Sequence, residues 1–239
     1  MRNAALPDIK HTVKEPKNMS ANDLDYLERV GALWEASELD TVQKLDCFTR
    51  YVSRQSLTKF MARQEIFAKQ LEVHGSIVEV GVHRGTSLMT WAHLSSILEP
   101  VNYLRKIIGF DTFEGFPAIA EQDERGTSFH LTKGGFKVET GAERELYSAI
   151  ELYDSNRLMN HLPKIELVCG DASETIPAYL EANPHLVVSL LHLDADLYPP
   201  TKAALETFLP RMPKGAIVAF DELNMGLFPG ETLAVMETM

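Results

Sequence analysis

The stretch SIVEVGVHRGTS, residues 76–87, decides how the rest of the chain is read. An apolar run reaches Glu79, a glycine-punctuated turn follows, and residues 86–98 continue at helical spacing. Four further apolar runs end in the same way: KIIGFD at 106–111, IELVCGD at 165–171, LVVSLLHLDAD at 186–196 and AIVAFDE at 216–222. Helix-compatible segments at 142–160, 173–182 and 200–209 separate the later ones. Near-continuous apolar strands alternating with helices predict an α/β fold, with a mostly parallel central sheet covered by helices on both faces. The Gly- and charge-rich stretch 117–140 reads as a long mobile loop.

Upstream, residues 1–22 read as a polar, mobile arm, and 23–70 as a helical extension preceding a main domain at 71–239. Asp23 is the expected cap of a first helix carrying Leu24, Leu27, Val30, Leu33 and Trp34. A second helical segment is expected from about 40 to 70, with Phe48, Tyr51, Phe60, Ile66 and Phe67 at packing positions.

Composition narrows the function classes. Of 239 residues, 45% are apolar and 24% charged, as in ordinary globular proteins. No apolar run approaches the roughly 20 residues of a membrane span. The N-terminus lacks the apolar core of a secretory signal. The net charge of −11 argues against a nucleic-acid partner. Two distant cysteines, Cys47 and Cys169, read as free thiols of a cytoplasmic protein. A small-molecule substrate is the expectation, and an acidic site suits cations.

The acids fall where such a site belongs. In open α/β sheets ligands bind beyond the carboxyl ends of the strands, and Glu79, Asp111, Asp171, Asp194, Asp196, Asp221 and Glu222 all lie there. The first turn spaces Gly81 and Gly85 as G-x-x-x-G, unlike the dinucleotide fingerprint, and no P-loop is present. An acid just before the turn repels a diphosphate and suits a cationic amino-acid ligand. Thr86 and Ser87 are expected to cap the following helix. Asp111, followed by Thr112, is placed to accept bonds from ribose hydroxyls, and Asp171-Ala172 to meet an adenine edge. His83 sits in the turn itself. Taken singly these are ordinary turn residues; the ordered triple is more specific.

Asp194 and Asp196 end the most apolar strand, and Asp221 and Glu222 the next. Converging carboxylates repel one another unless protonated or neutralised, and a hard divalent ion such as Mg²⁺ answers that need. No zinc-hydrolase or nucleophile-elbow motif competes. Tyr198 reads equally as substrate-facing or as packing.

The set IVEVGVHRGTS, GFDTFEGFP, HLDADLYPPT and FDELN resembles the TylF/MycF-like (macrocin-type) sugar O-methyltransferases over about residues 70–235. The resemblance implies a Rossmann-like class I methyltransferase fold and an S-adenosylmethionine cofactor held by Glu79, Gly81, Asp111 and Asp171. It also implies Mg²⁺ on Asp194, Asp221 and Glu222, with Asp196 as general base toward a hydroxyl acceptor. The family usually carries Asp-Asp where this chain has Asp221-Glu222, and a tryptophan or similar residue where His83 stands. Class I methyltransferases normally finish with an antiparallel hairpin, whereas this sequence ends at Met239 within PGETLAVMETM. The expectation is therefore a fragment or a differently completed edge, masked by a partner in a homo-oligomer.

Overall fold

The computed structural model describes residues 20–239, so the expected polar arm lies almost entirely outside the described residues. The chain divides into two compact units, 1–58 and 59–239, with the division falling inside a helix.

The described part of the first unit is helical. Helix α1 spans Ala21–Ala36, so it starts two residues before the expected cap Asp23. The single helix expected over 40–70 is instead three pieces: α2 (Thr41–Asp46), a 3-10 turn (Phe48–Arg50) and α3 (Arg54–Gln70). Side-chain caps explain the breaks. Asp40 accepts from Gln43 N while Gln43 bonds back to Asp40 N, and Ser53 accepts from Ser56 N as α3 begins. Trp34 meets Tyr51 edge to face at 4.9 Å.

The second unit is the expected α/β fold. Strands β1 (Ser76–Val80), β2 (Ile107–Asp111), β3 (Ile165–Cys169), β4 (Val188–Leu193) and β5 (Ile217–Phe220) form one parallel sheet in the order β3-β2-β1-β4-β5. Helices α4 (Thr86–Leu98), α5 (Ala142–Ser155), α6 (Ala172–Ala182), α7 (Tyr198–Phe208) and α8 (Pro229–Thr238) complete it. One face of the sheet packs on Phe67, Leu88, Trp91, Leu146 and Ile150; the other packs on Ile176, Ala204, Leu205 and Phe208. Burial on both faces is why β1 and β4 read as continuous apolar runs.

The amino ends of the strands are tied by one cation. Arg105, 3% exposed, donates to Glu99 Oε1 at 2.7 Å, Gln70 Oε1 at 2.8 Å, Gly75 O at 2.8 Å and Ser189 Oγ at 2.5 Å. Ser189 stands at the irregularity where the β1–β4 register shifts. This cluster fixes the end of α3 and the start of β1.

The 117–140 stretch contains no helix or strand, but it is packed against the fold. Phe116 joins Leu197 and Phe228 in a small cluster, and buried Asp123 accepts from Tyr198 N at 3.0 Å. Among the described residues no helix is long and apolar enough to cross a membrane.

Candidate functional site

Register builds the site. Glu79 stands beside His192 across β1 and β4, and Leu193 beside Phe220 across β4 and β5. The residues just past the strands are stitched in the same order. Gly81 N donates to Phe110 O at 2.9 Å, Asp194 N to Val80 O at 2.9 Å, Asp221 N to Leu193 O at 3.1 Å, and Gly170 N to Asp111 O at 2.9 Å. The predicted acids of four strands and the Gly81 turn therefore share one rim.

The turn after β1 is left-handed at Gly81 (φ 93°), His83 (φ 51°) and Gly85 (φ 78°). Asp111 holds it: Oδ2 accepts from Val82 N and His83 N, both at 2.7 Å, and Oδ1 accepts from Phe113 N at 2.6 Å. With about two lone pairs per oxygen, Oδ1 keeps room for one further donor. Thr86 and Ser87 do not cap α4, contrary to the sequence reading; Gly85 occupies the cap position without a side-chain bond, and Thr86 is the first helical residue. Thr112 donates to Gly115 O and accepts from Glu114 N, shaping the following loop. Asp171 caps α6 by accepting from Ser173 N at 2.9 Å, with Ala172 buried behind it. Burial, aided by the Arg84 charge, lowers the proton affinity of His83.

Glu79 is fully buried. Its Oε2 accepts from Trp91 Nε1 at 2.8 Å and from His192 Nδ1 at 3.2 Å, while Oε1 has no partner. Burial would lower the His192 pKa, but the Glu79 hydrogen bond and charge outweigh it, and the net shift is upward.

The acids beyond β4 and β5 crowd one another. Asp194 is pushed up to about 7 by burial and by the Asp221 charge. Asp196, in a left-handed conformation at φ 61°, is raised well above the carboxylate range by burial and by Asp194 and Glu222. Burial and Asp221 also raise Glu222. Glu231, which the sequence reading missed, is fully buried beneath them and pushed up to about 8, chiefly by burial; it accepts from Glu222 N at 3.1 Å. Its only sequence signal is an acid inside the apolar helix PGETLAVM. Glu222 Oε2 and Glu231 Oε2 are buried without partners.

Among the described residues, no three His, Cys, Asp or Glu side chains are gathered tightly enough to enclose an ion. The expected ligands Asp194, Asp221 and Glu222 share the rim without forming a preformed cage. Their chemistry nonetheless fits a cation. The Asp221 charge helps raise the proton affinity of both Asp194 and Glu222, and the partnerless Glu222 Oε2 is a hard donor.

The Tyr198 hydroxyl donates to Glu237 at 2.5 Å and accepts from Lys202 at 2.9 Å, so it ties α7 to α8. Cys47 and Cys169 are free thiols, and the Cys169 thiol is raised to about 11, first by burial.

Known proteins are similar to this chain in sequence and fold. The family described as Macrocin-O-methyltransferase (TylF) matches residues 48–235. The crystal structure of CalS11, a calicheamicin methyltransferase, is 35% identical and superposes with a TM-score of 0.87 over 92% of this chain and 85% of its own. Its apo form, described as a TDP-rhamnose 3'-O-methyltransferase, gives 33% identity and a TM-score of 0.79 over 92% and 86%. The O-methyltransferase NovP, 20% identical with a TM-score of 0.57 over 75% of this chain and 69% of its own, shares the fold. The 8-demethyl-8-(2,3-dimethoxy-α-L-rhamnosyl)-tetracenomycin-C 4'-O-methyltransferase of Streptomyces olivaceus is 27% identical over 154 residues, 63% of this chain. The chain spans about half the length of that curated relative, 53%. With the family match running from before α3 into α8, the chain belongs to the macrocin-O-methyltransferase (TylF) family.

Proposed function

We propose that this chain transfers the methyl group of S-adenosylmethionine to a hydroxyl of a sugar, with a divalent cation at the acidic rim. The observation that carries the proposal is the juxtaposition of the Gly81 turn with the Asp194–Asp196 turn across β1 and β4. It supports a reading in which a cationic cofactor lies beside the group that removes the proton.

On the cofactor side, Glu79 offers a buried carboxylate oxygen to an ammonium group. The glycine backbone of 81–85 allows close approach, and Asp111 Oδ1 has room for one ribose hydroxyl. Asp171 and Ala172 border the adenine end. On the acceptor side, Asp196 is the general base. The sulfonium is already activated, so the chain's own task is to align the hydroxyl and accept its proton. Asp194, Asp221 and Glu222 would hold Mg²⁺, supported by the partnerless Glu222 oxygen and by the raised proton affinities of Asp194 and Glu222. When bound, the ion would supply positive charge that acidifies the acceptor hydroxyl and the neighbouring carboxyls.

Two relatives are described as acting on rhamnose-type sugars, one nucleotide-linked and one in a glycoside. A rhamnose-type deoxysugar is accordingly the proposed acceptor. Incubation with labelled S-adenosylmethionine and a panel of nucleotide-linked deoxysugars, rhamnosides and catechols tests this reading. Label is expected in the sugars; label in catechols alone contradicts it.

A further inference from the structure

Helix α3 brings a second unsatisfied charge to the cofactor side. Arg63 is 9% exposed, its Nε is buried without a partner, and it forms no ion pair among the described residues. Burying a lone guanidinium is costly, and such cations normally find an anion. On α3, Arg63 lies at helical spacing with Phe67 and Gln70, the other buried residues of the helix, on the face that packs.

Connectivity fixes its height in the fold. Arg105 Nη1 donates both to Gln70 Oε1 and to Gly75 O, so the end of α3 is level with the foot of β1. Back along the helix, Arg63 lies about 10 Å higher. Up the strand, Glu79 lies about 13 Å above Gly75. Phe67, one turn below Arg63, belongs to the same core cluster as Ile77 and Leu190. Those residues precede Glu79 and His192 by one pleat and point to the same face. Arg63 is therefore on the Glu79–His192 face at their level, close enough that its charge opposes protonation of His192.

Two buried groups of opposite charge, Arg63 and Glu79, thus face one region, and each keeps a partnerless polar atom. Were they a structural pair, they would bond to each other. A zwitterion satisfies both. We propose that Arg63 anchors the α-carboxylate of the bound cofactor while Glu79 takes its α-ammonium. The proposal rests on the S-adenosylmethionine reading above and adds to it the residue that distinguishes an amino-acid tail from a bare nucleoside.

Calorimetric titration of the whole chain with S-adenosylhomocysteine and with 5'-methylthioadenosine, which lacks the aminocarboxylate, tests it. Arg63→Ala is expected to weaken S-adenosylhomocysteine at least tenfold and to change methylthioadenosine less than twofold. Arg63→Lys should recover part of the loss, and it serves as the test variant if the alanine form does not fold. Unchanged S-adenosylhomocysteine binding, equal loss of both ligands, or a loss confined to the affinity for a nucleotide-linked acceptor would each overturn the assignment. If the unmodified chain binds neither ligand, the cofactor reading itself fails, an outcome distinct from the others.

Discussion

A side chain on Gly81 would run into the carbonyl of Asp194. The cofactor turn and the acidic turn touch backbone to backbone, and the absent Cβ permits that contact. Gly81 also sits at φ 93°, where other residues are strained. Gly81→Val is expected to cost at least about 2 kcal/mol, seen as a fall in Tm of roughly 4–8 °C, and to weaken S-adenosylhomocysteine binding measured by calorimetry. An unchanged Tm would show that the two turns can separate freely.

Asp196 and Asp194 should separate kinetically. Asp196→Asn removes the proton acceptor and is expected to lower kcat by about 10²–10⁴-fold, leaving binding of S-adenosylhomocysteine and Mg²⁺ in place. Asp194→Ala is expected to abolish Mg²⁺-stimulated turnover while cofactor affinity stays within a few-fold. Full activity in either variant removes that residue from its role.

The crowded acids make stability depend on pH. Glu231 is raised from 4.5 to about 8 and Asp194 from 3.8 to about 7. A raised folded-state pKa means the folded form holds extra protons. That stabilisation is complete below the unfolded pKa near 4 and is lost as pH rises through 7–8. In EDTA, Tm should therefore fall between about pH 4.5 and 8, and Mg²⁺ should flatten the decline. Glu231→Gln, which keeps an acceptor for Glu222 N, should raise Tm at pH 8 in EDTA. A flat profile in EDTA contradicts this.

Arg105 is the structural counterpart at the other end of the sheet. Arg105→Ala leaves the largely buried Glu99 without its cation, with only Ser95 and Asn102 as donors, and releases Gln70, Gly75 and Ser189. The expected cost is about 3–5 kcal/mol, read as the urea midpoint at unchanged slope. A midpoint within error of the unmodified chain would show the cluster to be dispensable.

Strand ends and glycine turns were legible in the sequence because a parallel strand buried on both faces has one unmistakable texture, and its ligand-facing end must turn polar. Helix α4 was expected at 86–98 and spans those residues. The 40–70 segment was read as one helix because apolar spacing runs through it; the caps at Asp40 and Ser53 are local polar signals that periodicity hides. Arg63 and Glu231 escaped notice for a related reason. Each sits in a helix that carries other charges, and only the packed fold shows which of them is buried and facing a site. The partnerless oxygens of Glu79 and Glu222 are likewise tertiary facts, absent from any spacing rule.

The most direct test of the central claim is mass spectrometry of a nucleotide-linked deoxysugar incubated with the chain, S-adenosylmethionine and either Mg²⁺ or EDTA. The predicted result is formation of S-adenosylhomocysteine with one methyl group added to the sugar in Mg²⁺, and loss of both products in EDTA and in Asp196→Asn. Cofactor binding without methyl transfer to any sugar under Mg²⁺ would contradict it.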